Sequence, residues 1–336
     1  MNKDFKENQL RITALWAFSE AFLGGILHAF KMPFSGLVLA AFAVICICAL
    51  ALPKYEYGTI IKATILVIIV KAILSPYTPL AAYFAVFLQG AFAEIIFAIG
   101  ISYRISSFIL SIFALMQSAI QKVIILTLLF GVDFWKAIDA FLNSITKEMG
   151  FSTESYSLYI VISYLSIYFL MGLITGIYAI RLPKIIASGK VDFYHYNNKI
   201  SSVTSYKTLK TKNKFSLLFW ILAAAAIIIL VQSYMENGLF SLIESKAIKL
   251  IIRALMITLF WYFVITPILR KVFNRWLENN KNKFSLEINQ LLQLMPEMKA
   301  IVLLSWRSTA NHTYFKRINK CIGLLFFQLQ KNTNEN

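Results

Sequence analysis

The sequence predicts an all-α polytopic membrane protein: a six-helix bundle, two further transmembrane helices and a cytoplasmic amphipathic helical tail. Three observations carry this. Of 336 residues, 59% are hydrophobic and only 15% charged, with a mean hydropathy of +0.68, which is well beyond the composition of soluble domains. Apolar runs near twenty residues recur, the length that spans a bilayer as a helix, whereas the alternating segments of a β-barrel are missing. Finally, 24 of the 33 basic residues fall in five segments, 1–13, 53–57, 101–105, 181–214 and 270–336. These segments share one side of the membrane if the N-terminus is inside, as the positive-inside rule requires.

The first helix covers 10–30 and ends in an elbow from His28 to Ser35. Lys3, Lys6 and Arg11 precede its apolar run. No small-x-small cleavage site comes after it, so it reads as an uncleaved span. The second helix covers 36–52 and stops at Pro53. Further helices over 58–75, 79–100 and 106–131 are bounded by Gly58, Pro76, Pro79 and Gly131, the residues that punctuate helices. Residues 132–152 place Phe134, Trp135, Ile138, Phe141, Leu142 and Ile145 at helical spacing between charges, which predicts an amphipathic helix at the interface or over a pocket. The sixth span covers 156–180 and ends at Arg181 and Pro183. The stretch 181–214 then holds eight Lys/Arg against one Asp. Two more spans, 215–235 and 248–269, lead to the basic tail. The resulting domains are 1–181 (six-helix solute-binding membrane domain), 182–213 (basic cytoplasmic linker), 214–271 (two-helix membrane segment) and 272–336 (cytoplasmic amphipathic helical tail).

A net charge of +17 would suggest nucleic acid in a soluble chain. Here it is read as basic loops on the cytoplasmic face of a lipid bilayer, with no nucleic-acid partner. Cys46, Cys48 and Cys321 show no metal or disulfide spacing, and His28, His195 and His312 lie far apart; no metal and no cofactor is expected. Gly189-Lys190 is followed by Val191, so there is no P-loop, and the chain cannot power transport with ATP alone. HExxH, GxSxG and DxDxDG motifs are also lacking, so no catalytic residue is assigned and the chain is read as a non-enzyme.

Polar groups inside the apolar helices carry the functional reading, because a charge at the bilayer centre costs roughly 3 kcal/mol on insertion scales. Glu20 lies near the middle of the first span. It is read either as a ligand contact or as a structural acid paired to a base of another helix. Lys62 snorkels in this reading, and Glu94 pairs with an inner basic group. Gln117 and Gln121 share a helix face. With apolar walls, the outer half forms a small-molecule pocket built on His28, Lys31, Lys71, Gln89, Gln117, Lys122, Tyr164 and Tyr168. A packed polar network in any membrane bundle would present the same pattern. Ala17, Ala21 and Gly25 lie four apart on the first helix, a small-residue stripe for packing against a partner helix. Gly172 and Gly176 form a GxxxG read as close helix packing.

Residues 8–182 resemble the substrate-binding S component of energy-coupling factor (ECF) transporters. The resemblance rests on six spans, the Ala17-xxx-Ala21 stripe, the elbow HAFKMPFSG and the stretch SPYTPLAAYFAVFLQGAFAE. It implies an ECF-type ABC uptake transporter component that binds a vitamin or related micronutrient at its extracytoplasmic side. His28, Lys31 and Ser35 would then sit at the lid, and the Ala17/Ala21 stripe would face a T component. ABC-type ATPase subunits in separate chains would be partners, and a separate T component is a further one. The chain departs from the family after the sixth helix. Within 291–310, LLQLMPEMKAIVLLSWRSTA places Ser305, Arg307 and Ser308 near the small-Arg-small pattern by which T components couple to ATPases. The tail is therefore a shortened T-like module or a membrane-surface anchor. The expected location is the cell (cytoplasmic) membrane, and the charge distribution puts both termini on the cytoplasmic side. Two other readings stay open: a non-transport scaffold, lipid-pathway accessory or intramembrane enzyme using Glu20, and a secondary transporter driven by protons through Glu20 and Glu94.

Overall fold

The computed structural model describes residues 3–29, 34–52, 55–75, 78–148, 155–193, 284–310 and 313–331, with isolated helical positions between 260 and 279. Every regular element among them is helical. Helix α1 (Lys3–Phe18) passes through a single π turn (Ser19–Leu23) into α2 (Gly24–Ala29). There follow α3 (Ser35–Leu50), α4 (Thr59–Leu74), α5 (Leu80–Ala98), α6 (Tyr103–Phe130), α7 (Asp133–Glu148) and α8 (Tyr156–Phe193). Helices α9 (Ser285–Ser308) and α10 (Tyr314–Lys331) lie in the basic tail. The two spans expected over 215–235 and 248–269 fall outside the described residues but for isolated positions.

Among the described residues, four segments have the length and apolarity to cross a membrane: Glu7–Leu27, Leu80–Ala98, Tyr103–Leu128 and Tyr156–Ser188. Helices α3 and α4 are shorter, at 16 residues each. That is about 24 Å of helix against a hydrocarbon core of about 30 Å. The chain is thus a multi-pass helical membrane protein on four such helices.

The described chain packs as two compact units. The first takes residues up to Ser118, α8 from Tyr168 onward, and helices α9 and α10; the second takes Ala119 to Ile167. In the first unit α1 is the central post. It packs on α3, α4 and α9, and α10 also reaches it. Two thirds of its apolar stretch is buried inside the chain, against about a fifth for α8. Leu15, Trp16 and Ala17 are fully buried. By contrast, α5 and α6 expose Phe84, Phe87, Ile105 and Ile109, the surface a bilayer covers. Close approaches are set by small residues. A Cβ on Gly90 of α5 would collide with the Thr64 side chain of α4. One on Gly172 would stand 3.1 Å from the Ile112 Cα, and one on Gly176 2.7 Å from the Phe108 Cδ2. The GxxxG is a packing device between α8 and α6, as small-xxx-small stripes generally are.

In the second unit the amphipathic helix expected over 132–152 is α7. Asp139 on it accepts hydrogen bonds from the Ser157 backbone N–H at 2.6 Å and from its hydroxyl at 2.8 Å. This satisfies free donors of the first turn of α8. Trp135 Nε1 donates to Thr127 Oγ1 at 2.9 Å.

Helix α8 differs from the expectation that it ends near residue 180. It continues through Pro183 to Phe193. A proline inside a helix removes the N–H that would bond the carbonyl four residues back, here that of Ala179. The Tyr103 hydroxyl donates to this carbonyl at 3.2 Å. A neighbouring helix thus replaces the bond the proline deletes, which is how membrane helices tolerate proline. Tyr103→Phe should therefore lower stability by about 1 kcal/mol in wild type and have little effect in a Pro183→Ala background, where the N–H returns. A double-mutant cycle of thermal unfolding in detergent checks this; equal losses in both backgrounds would contradict the assignment.

Candidate functional site

The π turn places Glu20 against α4. Glu20 Oε2 lies 2.7 Å from Lys71 Nζ, and each side chain is only 4% exposed. The polar groups around the pair link three helices. Ser75 donates to the Ala21 carbonyl at 3.3 Å, and Tyr83 of α5 donates to the Ser75 carbonyl at 3.1 Å. The Lys71 ammonium lies 5.9 Å from the Tyr83 ring centroid, within reach of a cation–π contact. Inside the π turn the backbone pattern changes, and Gly24 N–H bonds the carbonyls of Ser19 and Ala21. Ser19 Oγ donates to the Trp16 carbonyl at 2.7 Å. Hydroxyls from both helices thus serve carbonyls around a turn that departs from the α pattern.

The π turn also alters the small-residue stripe. One extra residue rotates the helix beyond it by about 100°, so the four-residue spacing no longer keeps one face. Ala17 and Ala21 are buried within the chain. Gly25 is exposed, with nothing within 4 Å of where a Cβ would stand.

The residues assigned to a solute pocket fall into several settings. Lys71 is committed to Glu20. Gln89 is buried, with its Nε2 3.5 Å from Gln117 Oε1. Tyr168 is buried, and its ring centroid lies 6.3 Å from that of Phe34. Ser118 Oγ donates to the Gly36 carbonyl at 3.4 Å. These belong to the first unit. Exposed Lys122 and half-buried Tyr164 belong to the second. Lys31 and the His28 side chain lie outside the described residues.

Glu94 of α5 holds no basic group among the described residues. Its carboxylate accepts from the Gly58 N–H at 2.5 Å, the Ile61 N–H at 2.8 Å and the Tyr55 hydroxyl. Gly58 is the N-cap of α4, at φ +86°, and has no side chain to cap with. The two N–H groups are the ones a capping box satisfies from within one helix. Here a neighbouring helix supplies the carboxylate, and its charge also suits the helix N-terminus. Burial, then the Glu94 contact, pushes the Tyr55 hydroxyl well above its ordinary pKa.

The same end of the first unit carries a cavity of about 810 Å³ between α1, α4 and the start of α9. From Thr13, which lines it, to His28 is 15 residues, or about 22 Å of helix, so the cavity lies far from the elbow. Two ion pairs tie α9 down beside it: Arg11 to Glu297 at 2.8 Å and Lys62 to Glu287 at 2.9 Å. Arg11 also meets Glu7 at 3.3 Å. Burial works against the charged form of Glu287, but hydrogen bonds from Lys62 and the backbone, with the Lys62 charge, outweigh it and hold the carboxyl below its usual range. Lys62 thus pairs with the tail, where the sequence suggested snorkelling. Neither pair has a local sequence signature, because the partners are 225 and 286 residues apart.

On α9, Ser305 is buried, Arg307 exposed and Ser308 half-buried. The Ser305 carbonyl accepts from the Ser308 and Thr309 hydroxyls at 3.0 and 2.9 Å. Arg317 of α10 stacks on Trp306, its guanidinium carbon 3.8 Å from the ring centroid. Among the described residues no group of three or more His, Cys, Asp or Glu is placed to hold a metal. No protein-family profile, curated protein or solved structure matches the chain.

The capping geometry predicts that Glu94→Ala lowers stability by about 2–3 kcal/mol, as expected for lost hydrogen bonds to a charged, buried acceptor. Glu94→Gln, which keeps one acceptor oxygen, should fall between. Thermal unfolding with amide exchange at Gly58 and Ile61 reads this out. An unchanged midpoint in the alanine variant would contradict the cap.

Proposed function

We propose that the chain is the membrane component of an ECF-type ABC uptake transporter in the cytoplasmic membrane, with both termini inside. Six helices bind a vitamin or related micronutrient from the extracytoplasmic side, and two further spans lead to a T-like coupling tail. The observation that carries this reading is the docking of α9 on α1. The resemblance asks for a coupling helix against the first helix of the solute-binding bundle, and this chain supplies one from its own tail. Ala17 and Ala21 are buried within the chain, and the turn that carries Ala21 packs on α3 and α4. The exposed Arg307 is left for ATPase subunits in separate chains.

A second reading, a non-transport membrane scaffold or lipid-pathway accessory, is favoured by one observation: Lys71, a buried basic group assigned to the solute, is already paired with Glu20. Affinity purification of the full chain separates the two. Two P-loop subunits should co-purify and be lost on Arg307→Glu, and a thermal-shift screen against vitamins should give a rise that grows with the logarithm of ligand concentration. Absence of both ATPase subunits and of any shift would overturn the transport reading.

A further inference from the structure

The cavity between α1, α4 and α9 has a mixed lining. Apolar side chains, among them Leu10, Leu50, Leu66 and Leu294, alternate in it with polar ones, Gln9, Arg11, Glu56 and Lys62, and with the acids Glu7 and Glu287 that pair with Arg11 and Lys62. Its level is set by three helix ends. The apolar stretch of the first helix begins at Glu7, α3 ends at Leu50 and α4 begins at Thr59. The cavity thus sits at one end of the apolar helices, beside the polar loop between α3 and α4.

Two polar side chains there have contacts to give. The Gln9 Nε2 is buried with no hydrogen-bond partner among the described residues, and an orphaned buried donor is the kind of group a bound molecule satisfies. Glu56 makes no ion pair among the described residues, although it lines the cavity. The cations differ. Lys62 is half-exposed and gives one contact to Glu287, leaving ammonium donors to spare.

We propose that this cavity binds the headgroup of a phospholipid carrying a primary amine, with its acyl chains against the lining leucines. The ammonium donates to Glu56, and the phosphate accepts from Lys62 and the Gln9 amide. A quaternary ammonium has no N–H to give Glu56, so the site selects the primary amine over choline. An anionic headgroup without an amine would leave Glu56 facing like charge. The α9 helix, held by Arg11–Glu297 and Lys62–Glu287, closes the site, so the lipid ties the tail to the bundle. This rests on the membrane class of the chain and is independent of the transport reading.

The test uses the full chain in nanodiscs and in delipidated detergent solution, with phosphatidylethanolamine, phosphatidylcholine, phosphatidylglycerol and free O-phosphoethanolamine as probes. Phosphatidylethanolamine should raise the unfolding midpoint and be retained in native mass spectra, with about tenfold tighter binding than phosphatidylcholine, the ratio expected for one charge-assisted hydrogen bond. Glu56→Gln should bring that ratio towards one, and Lys62→Met should weaken both lipids. Both positions are partly exposed, so the variants fold. Equal binding of all three lipids, selectivity that survives Glu56→Gln, or a full effect from O-phosphoethanolamine alone would each overturn the proposal, the last by showing a soluble ligand.

Discussion

The buried pair between Glu20 and Lys71 is the constraint on which the first unit depends. Neither charge could be left alone at that depth, because an unpaired ion in the bilayer interior is among the most unfavourable groups a helix can carry. Paired at 2.7 Å, each offsets part of the other's desolvation cost, and together they link α1 and α4. The π turn is the backbone's accommodation. It rotates the start of α2, exposes Gly25 while Ala17 and Ala21 stay inside, and brings Ser75 to the Ala21 carbonyl. A helix with a carboxylate facing lipid would not insert well, and one with its carboxylate facing α4 becomes the post around which α3, α4 and α9 assemble.

The same logic appears wherever a backbone group is left over. Glu94 of α5 caps α4, Asp139 of α7 caps α8, and Tyr103 of α6 serves the carbonyl that Pro183 releases. In water each of these groups could turn to solvent. At these helix ends and at the proline break the partner comes from the next helix instead. Polar residues in the membrane helices of this chain are therefore first of all connectors. Gln89 with Gln117 and Ser118 with the Gly36 carbonyl fit the pattern.

The order of helices through α8 was legible because hydropathy and proline or glycine punctuation act locally, and four of the described segments have the length and apolarity of spans. Helix ends were less so: α1 begins at Lys3 and α8 runs on to Phe193, since a polar helical turn or a served carbonyl leaves no apolar signal. Glu20 was legible as a buried acid, and pairing with a base on another helix was one of its two sequence readings. Its partner was not legible, because a lysine 51 residues away is one of many. Glu94 was expected to meet a basic group, yet the composition around it cannot reveal that backbone N–H groups take that place. The π turn has no sequence signature in SEAFL, and the small-residue stripe read across it assumed an unbroken 3.6-residue period. The docking of α9 was hidden for another reason. A surface-amphipathic helix and one seated on a bundle share the same pattern, and only the tertiary ion pairs separate them.

If the Glu20–Lys71 pair is a mutual structural dependency, neither charge is reserved for a solute. A double-mutant cycle of thermal unfolding with Glu20→Met and Lys71→Met tests this most directly. Each single variant should lose about 3–5 kcal/mol, as breaking a buried pair does, and the double variant should recover most of that loss. Losses that add in the double variant, or single variants as stable as the wild type, would contradict it.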